Sequence, residues 1–132
     1  MLALYTNSTE RLRIDATGRI QVLSGGVFEA PIVTTATTST SVGLALTDAG
    51  KLVECSNTSA ITLTVPLNSS IAFPIGTQIT VLQTNTGQVT FVGASGVTVN
   101  GTPGLKLRAQ WSSATLIKRA DNVWVLIGDL TA

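Results

Sequence analysis

From Cys55 to Leu105 the chain runs for 51 residues without one Asp, Glu, Lys or Arg, and most of that run alternates apolar with polar side chains. "ITLTV", "QITVLQ", "QVTFVG" and "GVTVNG" are its clearest segments, rich in Val, Ile and Thr. Successive side chains of a strand point to opposite faces, so a period of two marks half-buried β-structure. "RLRI", "RIQVL", "KLVECS", "SATLIKR" and "NVWVLIG" repeat the pattern outside the run, and "PLNSS", "FPIG", "TNTG", "GASG" and "NGTPG" read as turns between strands. "SATLIKR" and "NVWVLIG" form the clearest hairpin, with Lys118, Arg119 and Asp121 keeping its connection wet. No segment sustains a period of 3.6, and "VGLALTDAGK" allows at most one or two helical turns.

Strands at this spacing predict an all-β chain. The expected architecture is an antiparallel β-sandwich or jelly-roll-like body, preceded by an N-terminal β-hairpin and an extended arm. The boundary is placed at 43/44, with residues 1–43 as hairpin and Thr-rich arm for attachment or intertwining and 44–132 as the body. Within the first part, "APIVTTATTSTSV" (Ala30 to Val42) is β-branched and uncharged. It reads equally as a surface connector and as an arm laid against a neighbouring subunit.

Charge narrows the partners. Charged residues make up 11% of 132 residues, where about a quarter is usual for a globular domain. Faces built from Thr, Ser, Asn and Gln suit burial against other chains, which predicts obligate assembly. A net charge of +1 argues against nucleic acid or an anionic membrane as partner. The longest apolar run, "VWVLI", is far shorter than the roughly 18 residues of a spanning helix. The start "MLALYTNSTERLR" lacks the basic region and long apolar core of a secretory signal, so the sequons at Asn7, Asn57, Asn68 and Asn100 read as by-products of Ser/Thr richness.

Catalytic chemistry is sparse. The chain has no His, which removes Ser-His-Asp and Cys-His catalysis and the usual zinc sites. The lone Cys55 cannot form an intrachain disulfide or a thiolate metal site and reads as a buried small hydrophobe. A carboxylate pair for glycoside hydrolysis has only seven acids to draw on, most beside turns or strand ends. "GLALTDAGKL" carries a Gly-Lys pair without the spacing or following hydroxyl of a phosphate loop. The expectation is therefore no enzyme, no cofactor and no metal. Trp124 alternates inside a strand and is assigned to core or interface; Trp111 is the better candidate for stacking on a ligand. Tyr5, Phe28, Phe73 and Phe91 read as scattered core or interface anchors.

Five of the fifteen charged residues crowd into "TERLRIDATGRIQV", residues 9–22. Asp15 is placed to accept turn N–H groups and Gly18 to supply the positive φ of a tight hairpin. Alternation puts Leu12 and Ile14 on one face, with Ile20 and Val22 on the returning strand, as candidate packing contacts. Arg11, Arg13 and Arg19 are candidates for charged contacts with neighbouring subunits. Because Glu10 and Asp15 sit among them, cross-strand pairing on a solvent face is the plainer reading.

"TNSTERLRIDATGRIQV" (Thr6 to Val22) resembles a segment of tailed-bacteriophage fibre and tail proteins. "FPIGTQITVLQTNTGQVTFVGASGVTVNG" and "LKLRAQWSSATLIKRADNVWVLIGDL" resemble phage virion structural domains as well. The resemblance implies a hairpin in an intertwined homotrimer and a non-enzymatic structural module of the virion. The chain departs from long fibres in having no Gly-X-Y run, no heptads, no internal repeat and no self-cleaving chaperone domain. It begins at Met1 and ends just after its last strand, which suits a self-contained protein. The expectation is a trimeric capsid decoration (cement) protein or short head fibre, with the major capsid protein as partner and the capsid surface as its place. The alternative is a tail-tip module binding host glycan through end loops and the Trp111 region.

Overall fold

Period two in the sequence becomes strand in the structure, a computed structural model that describes residues 2–23 and 31–132. Phe28 and the start of the Thr-rich segment at Ala30 lie outside the described residues. Apart from one 3-10 turn at Leu46–Asp48, every regular element described is a β-strand. The chain divides into two units, at 31/32 rather than at the expected 43/44.

The first unit is an antiparallel sheet of β1 (Leu2–Thr6), β2 (Thr9–Ile14) and β3 (Ile20–Val22), in that order. Asn7 and Ser8 join β1 to β2 with φ of 49° and 59°. Two left-handed residues in succession match the strand twist that a two-residue hairpin needs. The β2–β3 hairpin is the expected one; β1 adds a strand to it.

The second unit begins with β4 (Thr34–Thr37) and β5 (Ser41–Gly43), which come from the segment read as connector or arm. Its extended backbone is used, as edge strands of two sheets. The body continues with β6 (Leu52–Cys55), β7 (Ile61–Val65), β8 (Gln78–Gln83), β9 (Val89–Gly93) and β10 (Thr98–Gly101). It closes with β11 (Lys106–Leu107), β12 (Ser113–Ala120), β13 (Val123–Gly128) and β14 (Leu130–Thr131). One sheet has the order β10-β13-β12-β8-β6-β4, the other β14-β11-β9-β7-β5.

The chain winds between these sheets. β4, β6 and β8 stack in parallel in one, β5, β7 and β9 in parallel in the other. Each coil descends one sheet and crosses to the other, a solenoid-like arrangement. β12 then runs antiparallel to β8, β13 antiparallel to β12, and β10 parallel to β13. The expected all-antiparallel sandwich or jelly roll is corrected to this mixed topology. Crossing to the facing sheet supplies the long connection that parallel neighbours require and a two-residue hairpin cannot.

Inward residues of both sheets share one core. Val53, Ile79, Val81, Leu116, Trp124 and Leu126 come from the first, and Ile61, Leu63, Val65, Val89, Phe91 and Leu107 from the second. Cys55 is fully buried among them, and burial pushes its thiol up to about 11. Phe73 packs edge-on to Trp124, with centroids 5.5 Å apart. Phe73 and Phe91 are core anchors as expected, whereas Tyr5 is exposed. Lys118 reverses its expectation: at 2% exposure it points inward on the face of Ala114 and Leu116 instead of wetting the turn. Strand alternation outweighs its charge because acceptors await its ammonium group at the end of the sheet.

Candidate functional site

Cross-strand register assembles the N-terminal sheet's faces. Leu2 pairs with Ile14 and Ile14 with Ile20; Leu4 pairs with Leu12 and Leu12 with Val22. Directly paired residues project to the same side, so six aliphatic side chains share one face. Leu2 and Leu4 are each 59% exposed and Ile20 67%; Val22 is exposed, Leu12 and Ile14 half-buried. The four packing candidates, Leu12, Ile14, Ile20 and Val22, are thus brought together. Leu2 and Leu4 join them without having been singled out. Their signal was the alternation in "LALYT", which lacked a partner because Asn7-Ser8 carries no Gly to announce a hairpin.

The charged candidates do not form one patch. Arg13, paired with Ala3 and Gln21, lies on the opposite face, and its Nε is 3.2 Å from Glu10 Oε1 along the same strand. Arg11 is exposed on β2. Arg19 is exposed at the β2–β3 turn, where its N–H donates to Asp15 Oδ1 at 3.0 Å. Asp15 Oδ1 also accepts from Thr17 Oγ1 at 2.6 Å and Thr17 N–H at 2.8 Å. The Thr17 hydroxyl, then the Arg19 N–H, hold this carboxyl below its usual range. Gly18 takes φ of 82° in the turn, which a side chain would resist.

Trp111 stands in the second unit. Its indole is 67% exposed, and its φ of 71° is left-handed, a costly conformation for a bulky residue. The surrounding loop is pinned. Trp111 N–H donates to Gln83 O at 2.7 Å, and Gln110 Nε2 to Thr84 O at 3.0 Å. Arg108 donates twice to Asp129, at 2.7 and 2.8 Å, while Ser112 Oγ donates to Asp129 Oδ2 at 2.6 Å. The Arg108 bond first, then Ser112, lower the Asp129 pKa; the same bond raises that of Arg108. The result is an exposed aromatic plate on a fixed base.

Two adjoining recesses, of about 370 and 410 Å³, share Asn100 and Val125 and lie along β10 and β13. None of the candidate residues lines either one. Among the described residues, no three His, Cys, Asp or Glu side chains gather as metal ligands. No helix among them is long and apolar enough to cross a membrane. Comparisons with protein-family models, curated proteins and solved structures find no match to this chain.

Proposed function

We propose that this chain is a non-enzymatic virion structural protein of a tailed bacteriophage, a homotrimer that decorates the capsid as a cement protein or short head fibre. The apolar face of the N-terminal sheet carries the reading. Three short strands need a covered hydrophobic face to be stable, and each aliphatic side chain removed from water contributes about 1.5–3 kcal/mol. Further copies of this chain are the occupants that fit: the face is aliphatic, so like faces can meet without burying charge. The charge-poor body acts as a sandwich-like block laid across major capsid subunits. Burial shared among several subunits makes loss of any one of them costlier against internal DNA pressure.

The test is a chain lacking residues 1–31, compared with the full chain for oligomeric state and for binding to capsids depleted of it. The reading expects a folded monomer that no longer binds. Undiminished trimer and capsid binding would contradict it.

A second reading draws on Trp111. An exposed indole on a strained and hydrogen-bonded backbone suits stacking on a sugar ring, the chemistry of a tail-tip module that binds host glycan. Loss of glycan-array signal in Trp111→Ala would favour this reading; a full chain that binds no glycan would remove it.

A further inference from the structure

Lys118 is the only buried cationic side chain among the described residues. It pairs in register with Trp124, and both project inward beside Phe73. At the end of the sheet its Nζ lies 2.5 Å from Asn68 Oδ1, 2.6 Å from the Phe73 carbonyl oxygen and 3.5 Å from Asp121 Oδ1. Asn68 is fixed from behind, because its own N–H donates to Asn122 Oδ1 at 2.8 Å. Ser70 and Ile71 N–H both close onto Leu67 O, tightening the loop that carries it. A buried amine and a carboxamide therefore meet here, with the Asp121 carboxylate, 69% exposed, at the solvent edge of the amine.

We propose that Lys118 and Asn68 react with each other to form an intramolecular isopeptide bond, with Asp121 carrying the protons. The amine already donates to the amide oxygen, and the carbonyl carbon is one bond beyond it, so the two reacting groups are held together in the fold. Asp121 first takes a proton from the Lys118 ammonium, leaving a neutral amine. Nζ attacks Asn68 Cγ; the new C–N bond forms as the carbonyl π pair moves onto Oδ1. Asp121 delivers its proton to Nδ2 and takes one of the two still on the attacking nitrogen. Collapse restores the C=O bond, breaks Cγ–Nδ2 and releases ammonia, which leaves as ammonium with the proton held by Asp121. Nothing is oxidised or reduced, and no further reactant is needed.

The bond would join the loop after β7, in one sheet, to the end of β12, in the other. It ties the two sheets across one end of the core and resists their sliding. This inference is independent of where the protein acts.

Intact-mass spectrometry of the purified full chain, followed by tryptic mapping of the same sample, tests it. The expected mass falls short of the sequence mass by one ammonia. Trypsin cannot cut at an acylated Lys118, so the map contains one branched peptide joining residues 52–106 to 109–119. Lys118→Arg, Asn68→Ala and Asp121→Asn each keep the full mass. The Asn100-Gly101 pair could lose the same ammonia by succinimide formation, so a deficit that persists in Lys118→Arg would overturn the proposal. A wild-type chain at full sequence mass, with a free peptide ending at Lys118, would overturn it without recourse to any variant.

Discussion

Asp129 illustrates how single residues here set local stability. Its carboxylate accepts two bonds from Arg108 and one from Ser112, which holds its pKa below the ordinary value of 3.8. A carboxyl depressed in the folded state adds stability that is present above its unfolded pKa and lost as pH falls through its folded one. Asp129→Asn should therefore lower the thermal midpoint at neutral pH, with the difference from wild type shrinking below about pH 3.8. Melting curves across pH check this; a difference that stays constant into acid would contradict it. Trp111 works in the other direction. Removing its strained φ by Trp111→Gly should stabilise the body by about 1 kcal/mol, although a large aromatic is lost. Chemical denaturation measures that, and marked destabilisation would show the indole to be packing rather than presenting a surface.

Strands were legible one at a time because alternation is local. "NVWVLIG" needs only itself to declare that Trp124 and Leu126 share a face, and both are buried. The parallel partners were not legible. Leu52 pairs with Thr80 and Ile61 with Val89, an offset of 28 residues in both sheets, but Thr34 pairs with Leu52 and Ser41 with Thr62 at 18 and 21. Unequal coils leave no period for a sequence to display, and no tight turn marks a parallel pairing. Lys118 was misread for a related reason: the oxygens of Asn68 and Phe73 come to it from the connection between β7 and β8, 50 and 45 residues away in the chain. Of the N-terminal face, four of six residues could be read, since Gly18 announces the β2–β3 turn while Asn7-Ser8 barely announces β1–β2. One connection between elements has no slack. A Cβ on Gly87 would run into the backbone oxygens of Ser59 and Asn57. Gly87→Ala should cost about 3 kcal/mol, as overpacking does, readable as a lower urea midpoint at unchanged slope. A neutral substitution would mean that the 57–59 and 84–88 loops are not packed as described.

At the scale of the whole molecule, the two units differ in what they lack. The body has a shared core and a surface poor in charge, whereas the N-terminal sheet has a hydrophobic face without a partner in its own unit. Placing a charge on that face should separate assembly from folding. Ile20→Asp, at an exposed position, is expected to leave the body's melting transition within about 0.5 kcal/mol of wild type while shifting the chain from trimer to monomer in light scattering. A trimer that survives both Ile20→Asp and Leu12→Asp would locate assembly elsewhere. Under the proposed function the chain acts as a trimer on a phage head. Antibody-labelled electron microscopy of phage particles tests that proposal most directly. Label spread over the head at lattice-like spacing is the expected result; label confined to the tail tip, or absent from the particle, would contradict the proposal.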